Sequence, residues 1–190
     1  MKKKTPILLF LFLMSLIPSN HVFGQNTQPT GTAGFGDEMK CITEEKANPE
    51  SKEDPIIIKT CIWHAFKFVT TGVPDYKGRY GYEYELFLIE NSQPKQITNS
   101  ELFDDHRKEL EELINRKIRI DFDNNAKDPN VKDCFEGVTF TPFQLNDMGI
   151  SFNDKNEMEF NVTFGLGDAC MSVDGTVITF SMQDLKKYFK

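Results

Sequence analysis

The chain has 190 residues, of which 22 are basic and 29 acidic, and its formal net charge is -7 at pH 7. No basic block or stripe occurs, which disfavours nucleic acid as a partner because affinity for a polyanion comes from lysine and arginine side chains that neutralise phosphates. The length is that of about one domain, so a single hydrophobic core is expected.

The first 24 residues have the pattern of a cleavable secretory signal peptide. Three lysines at positions 2–4 precede an apolar run at residues 7–17, which is too short to remain as a membrane anchor, and Gly24 supplies a small residue before the expected cleavage site. We therefore expect an exported protein, periplasmic or extracellular, with no stable membrane insertion after cleavage. The mature chain would begin at Gln25 and carry 19 basic and 29 acidic residues, a net charge of -10.

The segment that follows the signal peptide has the composition of a linker. Residues 25–38 are rich in Gln, Thr, Pro, Gly and Asn, which predicts a flexible leader. Residues 39–190 are then expected to form a single α+β domain. It would begin with a short element at residues 39–43, followed by an exposed loop at residues 44–55.

A long β-hairpin is predicted next. Residues 55–71 are rich in β-branched and aromatic side chains, which favours one or two strands. Strict alternation would place four side chains on one face of this segment: Ile62, His64, Phe66 and Phe68. Turn residues at 72–78 lead into a return strand at residues 80–90, whose period of two predicts a shared face for Tyr80, Tyr82, Tyr84, Leu86 and Leu88.

The main helix is predicted from Thr98 to about Lys117, after a loop at residues 91–95. Thr98 and Glu101 have the spacing of a capping box, in which each side chain satisfies a free backbone amide at the start of a helix. Side chains at helical spacing form one stripe that should pack on a sheet: Leu102, Phe103, His106, Leu110, Leu113 and Ile114.

The C-terminal third is predicted to be mainly β-structure. A polar loop at residues 121–133 is followed by strands at about 135–145, 150–153, 158–164 and 176–180. Ser181 can cap a short terminal helix that runs through Tyr188. The expected fold class is therefore α+β, an antiparallel sheet packed against one main amphipathic helix with a short C-terminal helix.

The cysteine count favours two disulfides. Cys41, Cys61, Cys134 and Cys170 are widely spaced and form no CxxC or Cys/His metal pattern. Export into an oxidising compartment permits disulfides, although four cysteines allow three pairings. We favour Cys41 with Cys61 and Cys134 with Cys170, and free buried cysteines are the alternative.

One acidic segment has a partial calcium-loop pattern. Asp121, Asp123 and Asn125 alternate as in the start of an EF-hand loop, but Ala126 stands where glycine is required and Lys132 stands where a bidentate glutamate is required. A solvated acidic loop is therefore the favoured interpretation, and no metal site is predicted.

The histidines of the expected mature chain, His64 and His106, give little support for catalysis. Neither has a second His or Cys at turn spacing that would complete a zinc site, and no nucleophile-plus-base pattern or phosphate-binding glycine loop is visible. Both are interpreted as structural, and we predict no catalytic residue and no cofactor.

The candidate ligand-binding residues are Tyr80, Tyr82 and Tyr84. A row of tyrosines can stack on sugar rings or form a protein interface, because each ring offers a broad apolar face and a polar tip. An ordinary half-buried sheet face is the favoured alternative. Carboxylates are plentiful, so a glycosidase pair beside these tyrosines is left open.

Four segments carry a resemblance to a known family: residues 96–103, 110–114, 143–152 and 177–189. Together they are similar to the extracytoplasmic C-terminal domain of RsiV-type anti-sigma factors, which also occurs in many exported bacterial proteins of unknown function. The chain departs from the family at residues 72–75 and 165–170. The resemblance implies an α+β sensor or binding domain, which in the anti-sigma factors recognises lysozyme.

Two functions of different classes are therefore expected. The first is an exported, non-enzymatic binding domain whose ligand is a protein such as lysozyme or a cell-wall component. The second is a carbohydrate-active hydrolase that uses paired carboxylates. A third, structural possibility is a cell-surface or secreted accessory module, which would have neither pocket nor ligand.

Overall fold

A computed structural model describes residues 39–50 and 54–190. The expected signal peptide at residues 1–24 and the expected leader at 25–38 lie outside the described residues. The fold class is α+β, with one main helix, a short C-terminal helix and two antiparallel sheets of five and three strands. A single sheet was expected, so the division into two is a difference from the prediction.

The elements follow in chain order. The first sheet contains β1 (Lys40–Lys46), β2 (Ile56–Trp63), β3 (Phe66–Pro74), β4 (Tyr80–Glu90) and β5 (Gln93–Gln96). The second sheet contains β6 (Gly149–Phe152), β7 (Met158–Thr163) and β8 (Gly175–Phe180). The helices are α1 (Asn99–Leu102), α2 (Arg107–Asn125) and α3 (Met182–Leu185), and 3₁₀ turns occur at Lys132–Phe135, Leu145–Asp147, Asp168–Val173 and Lys186–Tyr188.

The predicted shared face from Ile62 to Phe68 is wrong because the chain reverses within it. Trp63 ends β2 and Phe66 begins β3, and His64 between them has a left-handed φ of 53°. The reversal leaves Ile62 on the outer face of the sheet, where it is 41% exposed, whereas Phe68 is buried on the inner face.

Two more segments expected as loops are strands. Asn91 and Ser92 both have positive φ, as a tight two-residue hairpin turn requires, and this turn brings Gln93–Gln96 back alongside β4. At the other edge, β1 extends to Lys46 because its whole length pairs with β2.

The main helix is interrupted near its predicted start. Thr98 N donates to Glu101 Oε2 at 2.7 Å, as the capping pattern predicted, but α1 ends at Leu102. Phe103 is extended and forms an isolated bridge with Phe189, and both Leu102 and Phe103 are fully buried. Tertiary packing therefore overrides the helical spacing at this point.

His106 lies at the new helix start and not in the buried stripe. Asp104 Oδ1 accepts a hydrogen bond from His106 N at 2.7 Å, and His106 precedes α2 as its N-cap residue. The stripe of α2 that is buried consists of side chains four residues apart: Leu110, Ile114, Ile118 and Phe122. The predicted membership of His106 in that stripe is wrong, because its side chain is exposed.

The helix also extends further than predicted, to Asn125, so the acidic segment is not a loop. Asp121 Oδ2 accepts from Thr176 Oγ1 at 2.7 Å, and Asp123 Oδ1 accepts from Arg119 Nε at 2.8 Å. Residues two apart on a helix point in different directions, so these oxygens do not converge as they do in an EF-hand.

The strand predicted at residues 135–145 is wrong. The segment passes over α2 between two 3₁₀ turns, and the side-chain amide of Asn115 takes the place of a partner strand. Asn115 Nδ2 donates to Phe143 O and Phe143 N donates to Asn115 Oδ1, each at 2.8 Å. Glu111 Oε2 accepts from Leu145 N at 2.9 Å, which extends this attachment.

The C-terminal prediction is confirmed in outline. Ser181 Oγ accepts from Asp184 N at 3.1 Å and caps α3, which continues as a 3₁₀ turn to Tyr188.

The hydrophobic core joins both sheets to α2. Phe68 of the first sheet meets Phe152 of the second edge to face, with ring centroids 4.8 Å apart.

The four cysteines form two disulfides, Cys41–Cys61 and Cys134–Cys170, the pairing of sequence neighbours. The first links β1 directly to β2, and the second ties the 3₁₀ turn at Lys132–Phe135 to the one at Asp168–Val173. Such bonds persist in oxidising compartments.

None of the helices within residues 39–50 and 54–190 combines the length and the apolarity needed to cross a bilayer.

Candidate ligand-binding groove

The three tyrosines share the inner face of the first sheet, as the alternation predicted. In the β3–β4 register, Tyr80 lies opposite Pro74 and Tyr82 lies opposite Gly72. This end of the face extends beyond the core, so Tyr82 is 56% exposed although it is on the same side of the sheet as buried Leu86.

Gly72 leaves room for two of the rings to pack closely against the sheet. A Cβ at position 72 would lie 3.0 Å from Tyr82 Cε1 and 3.1 Å from Tyr80 Cδ1, closer than ordinary packing permits. The Tyr80 and Tyr82 rings are stacked, with an interplanar angle of 26° and centroids 6.3 Å apart. Tyr80 Oη also donates to Pro55 O at 2.9 Å, which fixes the first ring. The pair forms an aromatic platform in which Tyr80 is anchored by a hydrogen bond and Tyr82 is exposed to solvent.

Tyr84 lies where the two sheets meet. Its ring packs on Gly149 of β6 so closely that a Cβ at position 149 would fall 2.2 Å from Tyr84 Cδ2. Burial, with smaller contributions from Tyr82 and the charge of Glu159, raises the pKa of Tyr84 to about 12. The phenol is therefore held in its neutral form, which can both donate and accept a hydrogen bond.

We expect alkaline pH to destabilise the fold through Tyr84. Because the pKa of Tyr84 is raised from 10.0 to about 12 on folding, its contribution to the free energy of unfolding is complete below pH 10.0 and is lost as the pH rises toward 12. Urea unfolding across this pH range should show a steeper decline for the natural protein than for Tyr84→Phe. Parallel curves for the two proteins would contradict the assignment.

The tyrosines form one wall of a groove of about 430 Å³. The opposite wall comes from the end of β7, the 3₁₀ turn at Asp168–Val173 and the start of β8. It contributes mainly small polar side chains and aliphatic groups: Asn161, Val162, Thr163, Met171, Ser172, Asp174, Thr176 and Val177. Asn161 Nδ2 donates to Ser151 Oγ at 3.0 Å, so this amide is oriented by the sheet beneath it.

Two charged groups near the groove, Asp174 and Arg79, have hydrogen-bond partners within the protein. Asp174 Oδ1 accepts from Leu166 N at 2.6 Å. At the tip of the β3–β4 hairpin, Arg79 forms two hydrogen bonds to Asp75 Oδ2, and this contact lowers the pKa of Asp75 to about 2. A ligand would therefore meet hydroxyl, amide and aromatic groups beside the carboxylate of Asp174.

The carboxyl groups with shifted pKa values do not resemble a general acid. Hydrogen bonds lower the pKa of Asp75, Glu101, Asp104 and Glu109, chiefly through Arg79, Thr98, His106 and Lys187 respectively. The acid of a glycosidase pair needs a raised pKa. The hydrolase hypothesis therefore gains no support from these four groups.

The two histidines lie on different elements and have different neighbours. His64 lies in the β2–β3 turn, with its ring centroid 4.6 Å from that of Trp63, and His106 Nδ1 lies within hydrogen-bonding distance of Asp104 Oδ2, at 3.2 Å. Within the described residues, no three His, Cys, Asp or Glu side chains are grouped so that they could hold a metal ion.

A second cavity, of about 370 Å³, lies over the end of α2. It is lined largely by phenylalanines that also pack edge to face with one another, including Phe122, Phe140, Phe143 and Phe164. This arrangement continues the core outward, and Thr139, Thr141, Asp147 and Thr163 complete the lining.

Several groove residues were not identified from the sequence. Gly72 could have been recognised, because a glycine within a strand pattern marks a close approach. Ser172 and Asp174 gave no local signal, since the Cys134–Cys170 disulfide and the β7–β8 pairing bring them to the tyrosines.

A comparison of the chain with protein-family models, curated proteins and solved structures finds no match.

Proposed function

We propose that this protein is an exported, non-enzymatic binding domain whose groove holds a neutral saccharide of the cell-wall type. The observation that carries the proposal is the stacked pair of Tyr80 and Tyr82, packed against Gly72 at an open groove. Aromatic faces of this kind pack against the apolar faces of sugar rings.

The polar lining of the groove supports a ligand rich in hydroxyl groups. Ser172, Thr163 and the neutral phenol of Tyr84 offer donors and acceptors. Asp174 accepts from the backbone amide of Leu166, and Arg79 is paired with Asp75. Binding sites of this type combine an apolar surface with a few oriented polar groups. The disulfides and the expected signal peptide support a location outside the cytoplasm.

Replacing Tyr82 by alanine should weaken binding of an N-acetylglucosamine trimer about tenfold, since half of the stacking platform is lost. Calorimetric titration of the purified protein measures the affinity. Tyr76→Ala is the matched control, because Tyr76 is 88% exposed at the β3–β4 turn and does not line the groove. Equal effects of the two substitutions, or no saccharide binding at all, would contradict the proposal.

Two other outcomes distinguish the rival hypotheses. Saturable one-to-one binding of lysozyme that survives high salt, without saccharide binding, would favour the protein ligand implied by the anti-sigma-factor resemblance, because simple charge attraction is screened by salt. Release of shorter saccharides during the titration would favour the hydrolase. Chromatography of the titrated sample tests for such products.

A further inference from the structure

The two edges of the five-stranded sheet differ in their capacity to pair with another strand. β5 has four residues and contains Pro94, which has no N–H to donate, so this edge is short and blocked. β1 has seven residues, all of them exposed and none of them proline. In the described part of the chain β1 has a neighbour on one side alone.

The Cys41–Cys61 pair indicates which backbone groups of β1 face the free edge. These residues lie directly opposite each other, with Cα atoms 4.1 Å apart. Antiparallel pairs at such a short separation are of the non-hydrogen-bonded type, whereas hydrogen-bonded pairs are about 5.5 Å apart. The N–H and C=O groups of Cys41 therefore point away from β2, and by alternation so do those of Thr43 and Glu45.

We propose that β1 pairs antiparallel with β1 of a second copy of the chain, with Ile42 at the two-fold axis. In this register the outward backbone groups of Cys41 meet those of Thr43 from the other copy, so the hydrogen-bond alternation of β1 is satisfied. Such isologous pairing would join the two five-stranded sheets into one of ten strands.

Side chains favour this register over those centred on Thr43 and Glu44. It places Lys40 opposite Glu44 of the second copy, twice by symmetry, and Ile42 opposite Ile42, and Ile42 is 61% exposed in the single chain. A register centred on Thr43 would set Lys40 against Lys46, and one centred on Glu44 would set two glutamates together. Opposite charges across strands stabilise pairing and like charges oppose it.

The first test is sedimentation velocity of the purified protein over a range of concentrations. The expected result is a concentration-dependent doubling of mass. Lys40→Glu should weaken the dimer at least about tenfold, because two attractive pairs become repulsive, and the double variant K40E/E44K should recover most of the loss. A chain that stays monomeric at every concentration, or a double variant as weak as K40E, would overturn the proposal.

The second test is cross-linking, which reports the register. Residues paired across the axis lie close enough for a disulfide, so Ile42→Cys should form a covalent dimer on mild oxidation, with the introduced cysteines joined to each other in peptide mass mapping. Val177→Cys is the matched control, because Val177 is a β-branched strand residue that is 50% exposed on the other sheet. Equal cross-linking of the two variants would overturn the register. Saccharide binding by Ile42→Cys tests the groove independently, because Ile42 does not line it.

Discussion

Replacing Cys134 and Cys170 together by serine is expected to lower the free energy of unfolding by about 3–4 kcal/mol. The bond closes a segment of 36 residues, and its loss returns that conformational freedom to the unfolded chain. It also holds the turn that supplies Met171 and Ser172 to the groove. Saccharide affinity should therefore fall as well, measured by calorimetry at a temperature at which urea titration shows the variant to be folded.

The paired replacement of Cys41 and Cys61 is the control. It opens a segment of 20 residues, so its expected effect on stability is similar, about 3 kcal/mol. The bond lies at the β1 edge, and groove affinity should be retained. If both double variants lost affinity equally, the loss would reflect general loosening of the fold. An unchanged free energy of unfolding for the Cys134 and Cys170 variant would contradict the stabilising role.

Phe160→Ala should destabilise the fold by about 3–5 kcal/mol. Phe160 is fully buried at the centre of the second sheet, between Phe103 and Phe180, with ring centroids 6.2 and 5.9 Å away. Truncation removes buried apolar surface and leaves a cavity that the surrounding rings can fill in part at most. Urea unfolding monitored by circular dichroism gives the free energy.

Phe140→Ala supplies the comparison for this substitution. Phe140 lies at the partly exposed rim of the phenylalanine-lined cavity, so its loss should cost a smaller amount, about 1–2 kcal/mol. Equal costs for the two variants would mean that the second sheet is not the energetic centre of the core.

Local patterns predicted those parts of the fold in which local and tertiary preferences agree. The period of two in residues 158–164 is that of β7, which buries Met158, Phe160 and Val162 on one face. Ser181 caps the helix that follows β8 because its partner, Asp184, is three residues away. Interactions within one turn or one strand are visible in a sequence.

Predictions failed where a distant residue determines the local conformation. Phe103 has helical spacing with Leu110, but its contact with Phe189 draws it out of the helix. The apolar segment near Phe143 looks like a strand, but its backbone groups pair with the side chain of Asn115. Neither partner can be identified from the neighbouring residues.

The sequence predicted one wall of the groove, the tyrosine face, but not the opposite wall. Alternation placed Tyr80, Tyr82 and Tyr84 on one face, whereas the register that sets Gly72 under the rings depends on the hairpin turn, and the contact with Gly149 depends on the packing of two sheets. The opposite wall is assembled from parts of the chain about 80–95 positions away, so no local motif marks it.

The orientation of Asn161 has a practical consequence for the choice of expression host. Asn161, Val162 and Thr163 form an acceptor sequence for N-linked glycans, and the nitrogen that a glycan would occupy is the one that donates to Ser151. In a eukaryotic secretory pathway, modification of that nitrogen would add a bulky sugar beside the tyrosines. Protein from such a host and protein from a bacterial host would then differ at the groove itself.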